Sequence, residues 1–388
     1  MENFEIINPV RVVFGKEQWN RLPELLKAEN ASKVMVVYGG GSVKKIGLFD
    51  TVMNEIKNDF EIVEFGGVAA NPEFTKLMEA VELARKESVD FIIALGGGSV
   101  IDGVKFISGA IGYKGDPWDV LEKKEGCIFD TAVPFGTILT IPATGSEVNS
   151  GAVISRSEIG AKRVMGGPLF FPVFSFCDPT VVATLPKRQL ANGIIDAYMH
   201  VLEQYVTIKG DNLLQERQAE AILSTLIEVK GVVENPSDYD LAANFMLCAS
   251  HALNGNLRCG VKTDWTTHMI GHELTAKYGI DHARTLAIVG PRLFENQFER
   301  KKAKLVQYGE RVWGLNGEAE WVARKAIEKT EAFFHELGVS TKLSEYTKET
   351  AEFPEYVAKI FEDREWTAMG EHQAITPKDV VTILEATI

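Results

Sequence analysis

The chain has 388 residues, enough for two domains of ordinary size. Its 45% hydrophobic and 24% charged residues make a composition that supports substantial cores and excludes a disordered or fibrous protein. A net charge of -13 argues against a general nucleic-acid or anionic-membrane partner, because both need excess positive charge, but it leaves room for a small anionic cofactor in a local site.

The four cysteines, Cys127, Cys177, Cys248 and Cys259, have no C-x-x-C spacing, which favours a reduced, cytoplasmic protein over a disulfide framework. The start, M-E-N-F-E-I-I-N-P-V, carries two acids and no long apolar run, unlike a secretory signal. No apolar stretch approaches the roughly 18–20 residues that span a bilayer.

Residues 1 to 182 alternate short β-branched runs with amphipathic stretches. Val34–Val37 reads as a buried strand, followed by Gly39-Gly40-Gly41-Ser42 and a helix from about Val43. Glu61–Phe65 is a second short run, and Phe74–Lys86 has helical spacing. Phe91–Leu95 is again a buried strand, followed by Gly96-Gly97-Gly98-Ser99 and a helix from Val100. Continuous apolar strands alternating with helices predict an α/β domain, a parallel sheet with helices on both faces.

The two G-G-G-S turns bring backbone N–H groups and a positive helix end to one place, which suits a phosphate. A plain βα turn would carry the same residues, and neither turn matches G-x-G-x-x-G. Asp102 falls in the first turn of the second helix, where it suits a dipole cap. The end of the earlier strand lacks the acid that NAD sites place on the ribose 2′-OH. Ser42, Lys44 and Lys45 stand there instead, a set that can accept a 2′-phosphate, so NADP(H) is expected over NAD(H). Further on, Thr137–Asn149 is a strand running through Pro142 into a hydroxyl-rich turn with Gly145, suited to diphosphate or ribose, although a decorated loop reads the same way. Phe174–Cys177 reads as the last strand, ended at Asp178-Pro179.

After Pro186 the periodicity is helical almost throughout, in Ile194–Val206, Leu213–Val229, Leu241–Leu253, Glu318–Leu337 and Ala351–Phe361. An all-helical second domain over residues 183–388 follows. Five of the seven histidines lie from His200 to His282. Asp196 and His200 are one helical turn apart on an apolar helix, and a buried carboxylate is expensive unless paired or metal-bound. His268 and His272 repeat that spacing, and His282 follows Gly279-Ile280-Asp281 in an expected loop. H-E-x-x-H fails, since His272-Glu273-Leu274-Thr275 is followed by Ala276. Any one of these histidines alone would suit a core. Together with Asp196 they point to one divalent ion.

These motifs resemble the iron-containing (group III) alcohol dehydrogenases, and within them the butanol dehydrogenase and broad-specificity NADPH-dependent aldehyde reductase branch. The resemblance runs over nearly the whole chain: N-P-V-R-V-V-F-G, Y-G-G-G-S-V-K-K, L-G-G-G-S-V-I-D, P-A-T-G-S-E, D-A-Y-M-H and the stretch from His268 to His282. It implies a dinucleotide-binding α/β domain, a helical metal domain and a cleft between them. By motif, Asp196, His200, His268 and His282 match the metal ligands, with Fe2+ and Zn2+ both admissible for imidazoles and a carboxylate. His272 matches a histidine near nicotinamide and substrate. Gly97, Gly98, Ser99 and Asp102 match the diphosphate turn. Thr140, Thr144, Asn149 and Lys162 match further cofactor contacts, and Gly40 and Ser42 flank the adenosine ribose. The P-A-T-G-S-E stretch is shorter than the P-T-x-x-G-T-G-S-E of many members, which leaves the contacts around Ala143–Ser146 open.

The resemblance further implies a homodimer and reversible hydride transfer between NADP(H) and a small primary alcohol or aldehyde. An NAD-preferring polyol dehydrogenase, a metal- and NAD-dependent lyase of the dehydroquinate synthase type, and a non-catalytic nucleotide-binding or metal-storage protein are the competing readings. The lyase would need several basic residues facing an anionic substrate, and the metal stretch is mainly apolar (Met199, Leu253, Leu257, Trp265, Met269).

Overall fold

The computed structural model describes residues 1–388. Its strands are β1 (Arg11–Phe14), β2 (Lys33–Tyr38), β3 (Glu61–Phe65), β4 (Phe91–Gly96), β5 (Phe135–Leu139), β6 (Gly151–Arg156), β7 (Ala161–Gly166) and β8 (Phe174–Cys177). Its helices up to the end of the sheet are α1 (Leu22–Ala28), α2 (Ser42–Lys45), α3 (Leu48–Ile56), α4 (Phe74–Glu87), α5 (Gly98–Gly112) and α6 (Pro117–Leu121). Then come α7 (Lys187–Tyr205), α8 (Leu213–Glu228), α9 (Tyr239–Ala252), α10 (Thr266–Tyr278), α11 (His282–Asn296), α12 (Phe298–Arg311), α13 (Ala319–Glu336), α14 (Phe353–Asp363) and α15 (Pro377–Glu385).

The chain divides into two compact units. One holds Ile7–Leu185 with Asn235–Ser250, and the other holds Met1–Ile6, Pro186–Glu234 and His251–Ile388.

In the first unit, six strands form one sheet in the order β1-β8-β5-β4-β2-β3, and every pairing is parallel. β4 and β5 are buried along their whole length, which is why they read as unbroken apolar runs rather than alternating ones. After β2 the chain adds β3 on one side and β4 on the other, so the order reverses between β2 and β4. Open parallel sheets bind ligands outside the strand ends at such a reversal. The two glycine-rich turns leave β2 and β4 there.

A feature that the sequence reading did not anticipate is the antiparallel hairpin of β6 and β7, turned at Gly160 with φ 60°. Its residues do not alternate in polarity, and no N-G or D-G pair marks the turn, so the usual hairpin signals are absent.

The second unit has no strand, as the helical periodicity after Pro186 required. α7 is buried from Gly193 to Tyr205, so its few polar side chains in that stretch, Asp196, His200 and Glu203 among them, face the interior with the apolar ones. Gly279, at φ 66°, ends α10 in the left-handed conformation that L side chains avoid, and the chain turns directly into α11.

Candidate metal centre and nucleotide turns

Three helices of the second unit bring the histidines together. On α7, Asp196, His200 and Glu203 lie at positions i, i+4 and i+7 and share one face. All three are nearly inaccessible to solvent. His268 and His272 lie one turn apart on α10. His282, expected in a loop, is the first residue of α11, and the Asp281 before it is clamped. Arg188 donates to both carboxylate oxygens of Asp281, at 2.7 and 2.8 Å, and Asn192 Nδ2 donates to it at 2.7 Å. That bidentate pairing ties the start of α11 to the start of α7.

The candidate ligand atoms of Asp196, His268 and His282 lie within 4.8 Å of one another. Asp196 Oδ1 is 3.7 Å from His282 Nε2 and 3.9 Å from His200 Nε2. The His200 and His268 rings stack with centroids 4.8 Å apart, so the fourth predicted residue stands beside the other three. Burial pushes the His200 imidazole down to about 4, against the opposing pull of Asp196, which keeps the ring neutral and its lone pair available. Imidazoles and a buried carboxylate facing one point fit a divalent cation, with no thiolate in the set. His272 stands next to this group, with its ring centroid 5.1 Å from that of His282, and is partly accessible.

Sequence reasoning missed Glu203, whose carboxylate contacts His268 Nδ1 and accepts from the His268 backbone N–H at 3.3 Å. Its signal was available: a second acid on the buried helix α7, three residues past His200 and on the face of Asp196.

In the first unit, Gly41 takes φ 94° after β2 and lets α2 begin at Ser42. A side chain on Gly40 would meet nothing within 4 Å, so the turn is open there. Lys44 pairs with Glu64, and Tyr38 donates to the same carboxylate. The end of β2 itself lacks an acid, yet parallel pairing brings one across from β3.

At the second turn, Gly97 caps α5 in extended conformation. A Cβ on Gly98 would stand 2.5 Å from Thr144 Oγ1, so only glycine permits this approach. Thr140 donates its backbone N–H to Gly96 O at 3.0 Å, and the Thr144 hydroxyl accepts from Ser146 N at 3.2 Å. Ser99 Oγ accepts from Asn71 N at 3.4 Å, while Lys162 Nζ on β7 donates to Asn71 Oδ1 at 3.1 Å. Gly97, Gly98, Ser99, Thr140, Thr144 and Lys162 thus gather around the ends of β4 and β5.

Asp102 and Asn149 have inward partners. Asp102 accepts from Ser146 Oγ at 2.6 Å and Val153 N at 2.9 Å, and burial raises its carboxyl above the usual range. Asn149 Oδ1 accepts from Lys105 Nζ at 3.0 Å and Gly151 N at 3.0 Å. Lys105, which the sequence hides inside an apolar helix, is buried and also donates to Ser146 Oγ and Gly151 O, each at 2.7 Å.

A parallel sheet with glycine turns at its reversal point, together with a helical unit carrying an imidazole–carboxylate cluster, makes the two halves of a dehydrogenase-type architecture. The model of the iron-containing alcohol dehydrogenase family matches residues 9–179, and that of the Fe-containing alcohol dehydrogenase family, C-terminal, matches residues 190–388. The chain belongs to this family. It is 46% identical over 380 residues to the NADPH-dependent aldehyde reductase YqhD of Escherichia coli K12, covering 97% of each chain. The crystal structure of YqhD superposes with a TM-score of 0.96 at 44% identity, covering 100% of this chain and 99% of that one. The NADH-dependent butanol dehydrogenase A of Thermotoga maritima gives a TM-score of 0.94 at 33% identity, with coverage of 100% and 99%.

Proposed function

We propose that the chain is a metal-dependent alcohol dehydrogenase and aldehyde reductase that moves hydride between NADP(H) and a small primary alcohol or aldehyde of the butanol or butanal kind. The observation that carries this reading is the convergence of Asp196, His268 and His282 on one point in a chain of this family. Asp196, His200, His268 and His282 would hold one Fe2+ or Zn2+. When bound, such an ion polarises a carbonyl or alcohol oxygen.

The chain's own residues do the rest. α7 and α11, joined by the Arg188–Asp281 pair, keep the donor atoms in register. His272, beside His282 and partly accessible, is placed to pass a proton between substrate oxygen and solvent. Residues 1–182 would carry the nucleotide. Gly97, Gly98 and Ser99 receive the diphosphate, with Asp102 shaping the turn from inside, while Thr140, Thr144, Asn149 and Lys162 line its neighbourhood. Gly40 and Ser42 leave room at the ribose, and the name of the YqhD relative supports NADP(H). Residues 183–388 would carry the metal.

We place the enzyme in the cytoplasm as a homodimer. The first rests on four free cysteines and on the absence of any helix long and apolar enough to cross a membrane, the second on family resemblance. The test is the loss of NADPH absorbance with butanal, run in parallel with NADH, on protein whose metal has been measured by elemental analysis. Turnover with NADPH on protein holding about one ion per chain is expected. Equal turnover by metal-stripped protein would reject the reading.

A further inference from the structure

We propose that Glu203 is a positioning residue for the metal centre, which turns His268 so that Nε2 faces the ion and raises that ring's affinity for it. The inference rests on the reading of Asp196, His200, His268 and His282 as ligands.

The carboxylate and the carbonyl of Glu203 both address the start of α10. One carboxylate oxygen contacts His268 Nδ1 and the other accepts from His268 N at 3.3 Å, while the Glu203 carbonyl accepts from Asp264 N at 2.8 Å. The first N–H groups of a helix have no partner within it, and a carboxylate placed against them is held by those donors and by the helix dipole. Glu203 therefore fixes the backbone of His268 and its ring together. With Nδ1 taken, Nε2 is the nitrogen left for an ion.

The surrounding charges show why this acid belongs to the centre. Glu203, Asp264 and Glu371 are all buried. Lys301, equally buried, reaches Asp264 at 3.0 Å and Glu371 at 2.7 Å, and also donates to the Val206 carbonyl at 2.9 Å. The ammonium thus pairs directly with the other two acids and reaches Glu203 only through its field, while the Glu203 carboxylate contacts the start of α10, His268 above all. A buried carboxylate without a counter-charge is costly. An imidazole whose far nitrogen coordinates a cation has a more acidic N–H, so the bond from Nδ1 to Glu203 strengthens as the ion binds. By linkage, Glu203 then strengthens ion binding.

The test uses full-length Glu203→Gln, which keeps the shape and removes the charge, with Glu203→Ala as a second variant. Zn2+ affinity is read by competition with a chromogenic chelator on metal-stripped protein, next to thermal unfolding of the metal-free forms. Glu203→Gln is expected to bind Zn2+ roughly 10–100-fold more weakly, with Glu203→Ala weaker still and metal-free unfolding of Glu203→Gln little changed. Affinities of both variants within about threefold of wild type would overturn the inference and leave the ligand set standing. Wild-type protein that takes up no divalent ion would remove the underlying reading, and this inference with it. Should both variants fail to fold, a crystal structure of Zn2+-loaded wild type decides. Nε2 on the ion with Nδ1 kept on Glu203 supports the inference, and Nδ1 or Glu203 itself on the ion overturns it.

Discussion

His282 Nε2 lies 3.7 Å from Asp196 Oδ1, joining the first residue of α11 to the middle of α7. Groups of these types, held at that distance by separate helices, suit a shared divalent ion, which is the proposal put to test. Replacing His282 with alanine is expected to lower metal occupancy and aldehyde reduction together, with the remaining ion lost on dialysis against chelator. Elemental analysis beside an NADPH assay checks this. Full activity in metal-free His282→Ala protein would end the assignment.

His272 should separate from that behaviour. Its ring sits 5.1 Å from His282 but is partly accessible, as a proton-passing group needs to be. For His272→Ala the expected result is normal metal content with turnover reduced by roughly 10²–10⁴-fold, the range for a lost general acid–base group. Loss of metal from this variant would make His272 a ligand and the proposed set wrong.

Much of this was legible in the sequence for definable reasons. β2 and β4 are buried on both faces, so their apolar runs announced a parallel sheet. Asp196 and His200 were visible because four residues make one helical turn. What stayed hidden depends on packing between distant segments. Nothing near Gly41 announces that β3 pairs beside β2 and carries Glu64 to Lys44. Nor does the sequence around Val104 and Phe106 distinguish Lys105 from a solvated lysine. Only the fold folds the Ser146–Gly151 segment over it. The role of Asp102 was open for the same reason, since capping and ligand contact require the same position while its actual partners are Ser146 Oγ and Val153 N, the latter on a hairpin that left no signal.

Cofactor choice tests the first turn. Because a side chain on Gly40 would meet nothing within 4 Å and its φ is not in the left-handed region, aspartate fits there without displacing its neighbours. An acid at this place repels a 2′-phosphate and suits a free 2′-OH. Gly40→Asp is expected to move the NADPH/NADH ratio of kcat/KM toward NADH by on the order of tenfold, about 1.4 kcal/mol. An unchanged ratio would place the adenosine ribose elsewhere.

Lys105 makes the first unit sensitive to pH. Burial pushes its ammonium down to about 8 despite the favourable fields of Asp102 and Glu147, whereas an unfolded lysine titrates near 10.4. Below pH 8 both states hold the proton and the full burial penalty is present. Between pH 8 and about 10.4 the unfolded chain keeps a proton that the folded chain has released, so the stability contributed by Lys105 rises with pH through that window. The total rise is on the order of 3 kcal/mol, set by the size of the shift. Lys105→Met removes the titrating group while filling similar space. Urea unfolding of both proteins at intervals from pH 7 to 10 should therefore give a wild-type-minus-variant free energy that climbs as pH rises. A difference that stays flat, or that falls with pH, would mean that Lys105 keeps an ordinary affinity for its proton. In that case its three acceptors, Ser146, Asn149 and Gly151, compensate fully for its burial.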